Sequence, residues 1–167
     1  EYGLISKLFH WLSAIVLIIQ IPLGMYLVDM DFSEKRLTIE NIHVAVGISI
    51  FYLTILRLIY KTFNPTPNLN NNIFPGQKII AKLNHVFLYI SILMITISGA
   101  LKKLYNGEEL DMFFFNLEIQ DNFDLAEIFY EIHILGNYTL IALISLHIFA
   151  VLIHKILFKE NLLKRIL

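Results

Sequence analysis

The chain has 167 residues, of which 57% are apolar and 16% are charged, with a formal net charge of -1. In a typical soluble domain about a quarter of the residues are charged, so this composition favours a membrane protein. The chain has no cysteine, which excludes disulfides, iron–sulfur clusters, thiolate zinc sites and covalently attached haem of the c type.

Four long uncharged segments predict four membrane-spanning helices. The segments cover 8–28, 41–56, 83–101 and 132–154. A hydrocarbon core about 30 Å thick needs about 20 helical residues, and the second segment reaches that length if the side chain of Arg57 extends to the membrane surface. None has the polar face that a soluble bundle shows every 3.6 residues. We therefore expect an all-α bundle of four transmembrane helices.

This bundle forms a single membrane domain over 1–167. With flanking turns included, the expected helices run at about 5–28, 41–61, 79–102 and 131–158. Pro65 and Pro67 end the second helix, because proline lacks the backbone donor and clashes with the preceding turn. The longest connection covers 102–131, and its last part, 124–131, has the pattern of a helical lead-in to the fourth helix.

The charges divide unequally between the two ends of the bundle. The end that carries both termini (the terminal end) holds nine basic and two acidic side chains, whereas the opposite end (the far end) holds four basic and twelve acidic ones. Lysine and arginine collect in short loops on the cytoplasmic side, so we expect both termini to be cytoplasmic in a bacterial inner membrane. The first apolar segment is longer than that of a signal peptide, and we expect no signal peptide.

All six histidines lie in the apolar segments or at their ends. They are His10, His43, His85, His133, His147 and His154. Ionisable side chains are costly within a membrane, where they face the bundle interior or serve a function. A single histidine in such a segment is readily explained as a packed, hydrogen-bonded side chain. Six histidines in these segments, with none in a loop, indicate a functional site.

The spacing of these histidines predicts two haems. His133 and His147 are 14 residues apart, close to four helical turns, so they lie on one face about 21 Å apart along the axis. This distance is too long for one metal ion. Depth along the helices pairs His10 with His147 towards the cytoplasm and His43 with His133 towards the periplasm, and each pair provides two axial ligands for the iron of one b-type haem.

Three glycines lie where a haem between helices would need space. Gly24 and Gly99 are each 14 residues beyond a histidine of their own helix, at the periplasmic level, and Gly47 is one turn below His43. These positions indicate clearance for a porphyrin. The alternative is that glycine simply permits close helix packing, as it commonly does in membranes.

The chain resembles the bacterial cytochrome b561 family, which is related to the cytochrome b subunits of formate dehydrogenases and nickel hydrogenases. The matching elements are Phe9-His10-Trp11, the segment 42–49, Arg57 with Pro65-Thr66-Pro67, the segment 84–89 with Ser98-Gly99, His133, Leu146-His147, His154 and the segment 159–161. The resemblance implies the same four axial histidines. It also implies electron exchange with membrane quinone, with superoxide as the electron donor in at least one member.

Five further residues are candidates for binding quinone or haem propionates. His85 and His154 lie in the cytoplasmic halves of their helices, where an imidazole accepts a proton and hydrogen-bonds a quinone carbonyl, and Lys82 is near the same level. The alternative is that both histidines bind backbone or lipid headgroups. Arg57, Lys78 and also Lys82 are candidates for the haem propionates, which need cationic partners.

Two classes of function are consistent with these features of the sequence. One is a quinone-linked oxidoreductase that contains two b haems and exchanges electrons with a periplasmic partner. The other is a haem-containing membrane subunit of a larger dehydrogenase or respiratory complex. Short loops favour the first. A transporter is disfavoured, because the helices are unbroken and lack a carboxylate near the middle of the membrane. We expect no nucleic-acid partner.

The charge of the far end predicts a cationic partner. Its formal charge of -8 attracts a basic protein such as a soluble c-type cytochrome and repels superoxide. Two alternatives stay open: the acids serve only to solvate a long loop, or the four basic residues form a local positive funnel. Those four residues are Lys35, Arg36, Lys102 and Lys103.

Overall fold

The computed structural model describes residues 2–64, 76–159 and 161–167 and consists mainly of four long helices. The helices are α1 (Leu4–Val28), α2 (Glu34–Phe63), α3 (Gln77–Tyr105) and α4 (Phe123–Ile156). An antiparallel hairpin lies between α3 and α4, and a short 3-10 helix, Leu162–Arg165, follows α4. The two strands of the hairpin are β1 (Leu110–Asp111) and β2 (Asn116–Leu117).

Each of the four helices is long and apolar enough to cross a membrane. The predicted all-α fold with four transmembrane helices is therefore confirmed, and the chain is a multi-pass membrane protein. Most large apolar side chains point outwards: Ile18 and Leu135 are each 68% exposed. This arrangement is expected where lipid, rather than water, surrounds the bundle.

All four helices start before their apolar segments, and α2 and α4 do so by the most residues. The side chain of Ser33 accepts a hydrogen bond from the backbone N–H of Arg36 and caps α2, so that a charged first turn precedes the apolar part. In the same way, Asn122 accepts from the N–H of Leu125 and caps α4. The segment 124–131 is thus part of α4. The prolines expected to end the second helix lie in 65–75, outside the described residues, and α2 ends at Phe63.

The interior of the bundle contains small and polar side chains. Ser13 and Thr54 are buried, and their hydroxyls donate to carbonyl oxygens one turn earlier in their own helices, at 2.6 and 2.7 Å. These bonds satisfy polar groups for which lipid offers no hydrogen-bond partner. The helices associate through close packing of small residues, because lipid chains are as apolar as the helix surfaces.

The helices do not pack equally closely. Close backbone packing joins α3 to α4, α1 to α2 and α2 to α3. At Gly136 of α4, an added Cβ would lie 2.8 Å from Cγ1 of Ile95 and 3.0 Å from Cε of Met94, so glycine is what permits this approach. Across the described residues, α4 meets α1 and α2 over a wider gap that side chains bridge. Four of the six histidines lie in this gap.

Candidate functional site

Four histidines form two pairs across the wider gap of the bundle. The ring centres of His10 and His147 are 6.3 Å apart, and those of His43 and His133 are 6.2 Å apart. The first pair joins α1 to α4 near the terminal end, and the second joins α2 to α4 near the far end. These are the same pairs that depth along the helices predicts from the sequence.

The separation of the rings fits a metal ion held between them. A histidine nitrogen binds a metal at about 2.0 Å and lies about 1.15 Å from its ring centre, so two rings on one metal have centres about 6.3 Å apart. Both pairs match this distance. Two rings that stack on each other or hydrogen-bond directly do not need this separation between their centres. The geometry thus fits an axial ligand from each side of a metal centre.

A cavity of about 430 Å³ surrounds the far-end pair. Its walls come from all four helices and include His43, His133 and the three glycines that the sequence singled out. A Cβ added at Gly24 would lie 2.8 Å from Cε1 of His43, and one added at Gly99 would lie 3.0 Å from Cε1 and Nδ1 of His133. Two of the three glycines therefore make room for the imidazole rings of this pair.

A hydrogen bond orients one of the two far-end rings, that of His133. Nδ1 of His133 lies 2.9 Å from the carbonyl oxygen of Ile95, so Nδ1–H donates and Nε2 keeps its lone pair for a metal. Nδ1 of His43 is buried and, among the described residues, has no hydrogen-bond partner. A metal centre in the cavity would supply this partner if Nδ1 of His43 were itself the ligand.

Gln20 is a functional candidate that the sequence reasoning missed. It is 7% exposed, and its Nε2 donates to the carbonyl oxygen of His43 at 2.7 Å. A Cβ added at Gly47 would lie 3.7 Å from Nε2 of Gln20, an ordinary contact distance, so this hydrogen bond does not depend on glycine there. An amide side chain in the middle of an apolar helix is the signal that could have indicated it.

A cationic cluster lies beside the terminal-end pair. Nη2 of Arg57 is 3.2 Å from Nδ1 of His10, and the guanidinium carbon is 5.4 Å from the ring centre of Tyr89. Nζ of Lys61 lies 5.1 Å from the same ring. Arg57 is therefore where a partner for a haem propionate is expected, and Lys61 is a second cation that the sequence reasoning missed.

The structure separates the histidines assigned to quinone. The ring of His85 is 5.3 Å from that of His147 and is exposed on the bundle surface, so it lies directly beside the terminal-end pair. His154 is buried and contacts Gln77 instead, seven residues beyond His147 or about 10 Å along the axis. Lys78 and Lys82 are exposed in the first turns of α3.

The far-end rim of the cavity contains opposite charges in equal number. Its lining includes three basic side chains, Arg36, Lys102 and Lys103, and three acidic ones, Asp29, Glu40 and Glu131. The basic groups are all engaged: Lys102 pairs with Glu40 at 3.0 Å, Lys103 pairs with Glu108 at 2.7 Å, and the guanidinium of Arg36 donates to the carbonyl oxygens of Leu27 and Met30. This pairing opposes a local positive funnel.

Taken together, the apolar helices and paired histidines define a membrane electron-transfer protein of the cytochrome b type. The prokaryotic cytochrome b561 family matches residues 1–167, and the chain belongs to this family, which implies haem b as its cofactor. Two relatives are similar over the whole chain. Cytochrome b561 homolog 2 of Escherichia coli (strain K12) is 27% identical over 171 residues, with 91% of that protein covered. The probable superoxide oxidase CybB of Yersinia pestis is 25% identical over 169 residues, with 96% covered.

Two glycines of the cavity give a matched test of the far-end site. We expect Gly24→Ala to displace the ring of His43 and to weaken haem binding there by about 1–3 kcal/mol, the usual cost of overpacking. Gly47→Ala adds the same methyl group at an ordinary contact distance from protein atoms, so it does not displace a histidine ring and should weaken haem binding less. The haem content and the reduced-haem spectra of the two purified variants measure these effects. Equal haem retention in the two variants would contradict this assignment.

Proposed function

We propose that this protein binds two b-type haems and exchanges electrons between membrane quinone and a periplasmic partner, as a quinone-linked oxidoreductase. The observation that carries the proposal is the presence of two histidine pairs, each at metal-binding separation, about four turns apart on α4. The haem irons supply reversible one-electron chemistry. One haem in each half of the bilayer gives the chain a redox site near each membrane surface.

In this proposal the four paired histidines are the axial ligands. His10 and His147 hold the haem of the terminal end, and His43 and His133 hold the haem of the far end. The hydrogen bond from His133 to the backbone supports this role, since histidine ligands commonly donate their other ring N–H to a carbonyl group. The family membership supports haem b, and the cysteine-free sequence supports non-covalent binding.

Arg57 is proposed as a partner of a haem propionate. Arginine has no acceptor, so in its contact with His10 the ring nitrogen Nδ1 accepts and Nε2 carries the proton. If Nε2 of His10 held the haem iron, Nδ1 would carry the ring proton and could not accept from Arg57, so the guanidinium would be available for a carboxylate. Lys61 and Lys78 are the other cations proposed for propionates at this end.

Quinone is proposed to bind at the terminal end beside His85. This imidazole is exposed at the helix surface, where quinone can reach it from the lipid, and it contacts His147 of the terminal-end pair. Lys82, one turn earlier on α3, is exposed as well. Quinol oxidation releases protons, and an imidazole is the side chain suited to accept them near neutral pH. His154, which is buried and about 10 Å nearer the terminal end, is proposed to line the part of the same site that is nearest the cytoplasm.

The proposed location is the bacterial inner membrane, with both termini in the cytoplasm. The terminal end carries the excess of basic side chains that the positive-inside rule requires. The far end then faces the periplasm with a formal charge of -8. Lys102 and Lys103 of the cavity rim are paired with carboxylates, which favours a cationic protein such as a c-type cytochrome as the periplasmic partner.

Superoxide is the second candidate for the periplasmic substrate. The similarity to a probable superoxide oxidase favours it, whereas the negative far end opposes the approach of an anion. A third arrangement is a haem subunit within a larger dehydrogenase or respiratory complex. Co-purification of further subunits in a mild detergent would support that arrangement.

Single histidine variants test the number of haems. We expect His147→Ala to abolish the terminal-end haem and to leave the far-end haem measurable, because only one of the two pairs is broken. His133→Ala, on the same helix, should show the reverse. The ratio of haem to protein in a pyridine haemochrome assay, together with the reduced spectra, reports each loss. Retention of two haems by both variants would overturn the ligand assignment.

Replacement of the two histidines outside the proposed axial pairs tests the quinone site. We expect His85→Gln, and more strongly the double variant with His154→Gln, to slow haem reduction by quinol roughly a hundredfold, a typical loss for a general base. Both haem spectra should be unchanged, since neither residue is a proposed ligand. Stopped-flow reduction measures the rate. Unchanged kinetics in the double variant would place quinone elsewhere.

The salt dependence of far-end oxidation distinguishes the two periplasmic candidates. With a basic cytochrome c, the rate should fall steeply as ionic strength rises and the Debye length shrinks to about 10 Å at 0.1 M. With superoxide, the rate should rise or stay constant, because salt screens a repulsion. A rate that falls with salt for superoxide and ignores salt for cytochrome c would refute the cationic-partner proposal.

A further inference from the structure

The hairpin between α3 and α4 exposes an aromatic tip. Three consecutive phenylalanines form the turn: Phe113 is 50% exposed, Phe114 83% and Phe115 53%. The backbone N–H of Met112 donates to the carbonyl oxygen of Phe115 at 3.0 Å and closes the turn. Three exposed phenylalanines at one turn are unusual on a surface that faces water.

This tip is held against the side of α2. Leu110, at the base of the hairpin, is 1% exposed and packs with Ile48 and Leu104. The hydroxyl of Tyr52 donates to the carbonyl oxygen of Met112 at 3.1 Å. The ring of Tyr52 also lies 5.9 Å from that of Phe114. The hairpin is thus fixed to the bundle and does not extend away from it.

The level of this contact is within the apolar span of α2. Tyr52 lies nine residues beyond His43, in the second half of the uncharged segment 41–56, and about 13.5 Å further from the far end along the axis. A helical side chain slants towards its N-terminus, so the hydroxyl of Tyr52 lies somewhat shallower than its Cα. The tip that contacts it still lies deeper than the start of the apolar segment.

We infer that the hairpin is a re-entrant membrane element, whose aromatic tip inserts among the lipid acyl chains of the far-end leaflet. Its polar groups are arranged for this position. The strands pair with each other, a side-chain oxygen of Asp111 accepts from the N–H of Phe113 at 2.7 Å, and the amide of Asn116 donates to Glu109. Backbone groups near lipid must be satisfied internally.

Lipid is favoured as the occupant because the tip continues the lipid-facing surface of α2. Ile42 and Leu56, near the two ends of the same apolar segment, are 51% and 54% exposed. Leu110 also lines the far-end cavity. An anchored tip therefore holds one wall of that cavity in place against the bundle.

Tryptophan fluorescence tests the depth of the tip. In a Trp11→Phe background, which removes the only native tryptophan, Phe114→Trp is compared with Phe32→Trp. Phe32 is the matched control, because it is also 83% exposed and lies in the α1–α2 connection at the same end. Both variants are reconstituted into phosphatidylcholine vesicles, with or without bromine on the acyl chains, and haem content confirms that each is folded.

We expect acyl-chain bromine to quench the fluorescence of the Phe114→Trp variant on the order of twofold more than that of the control variant, since bromine quenches only at contact within the hydrocarbon region. Aqueous acrylamide should quench the control more strongly. Strong acrylamide quenching of the Phe114→Trp variant would overturn the inference in favour of a water-exposed tip. Protection from both quenchers would overturn it in favour of a protein contact, with a second copy or another partner covering the tip.

Discussion

Two imidazole rings can share a metal only if the helices that carry them stand at one particular separation, and the packing of this bundle meets that condition for both proposed haem sites. The helix α4 packs closely on α3, where Gly136 removes the side chain between them, and leaves a wider gap towards α1 and α2. The histidine pairs occupy this gap. Gly24 and Gly99 then provide space for the rings themselves, since a methyl group at either position would meet an imidazole.

The surrounding lipid imposes a second constraint, on polar groups. Serine and threonine hydroxyls in the interior donate to the carbonyls of their own helices, and Gln20 donates to the helix that carries His43. Each such bond removes the free-energy cost of an unsatisfied polar group, which lipid cannot offset. The bond from Gln20 also connects α1 to the backbone of His43, a member of the far-end pair. Stability and positioning of the redox site therefore rest on the same contacts.

Charge is distributed so that each end of the bundle has a different character. At the terminal end, Arg57 and Lys61 lie around Tyr89 beside a histidine pair, which suits carboxylate groups. At the far end, Lys102 and Lys103 are paired with carboxylates, so the acidic excess determines the field there. The proposed flow of electrons between a quinone and a cationic protein is consistent with this difference between the two ends.

The sequence alone determined the number of helices, because uncharged segments of membrane length have no other stable solution in lipid. It also determined which histidines can meet, since helical rise fixes depth along an axis, and the structure brings His10 to His147 and His43 to His133. Only the tertiary structure placed Gln20 and Lys61, separated His85 from His154, and folded the hairpin back along α2. Those features depend on rotation about each helix axis and on contacts between distant segments, such as Tyr52 with Met112, and neither is encoded in the spacing of residues along one helix.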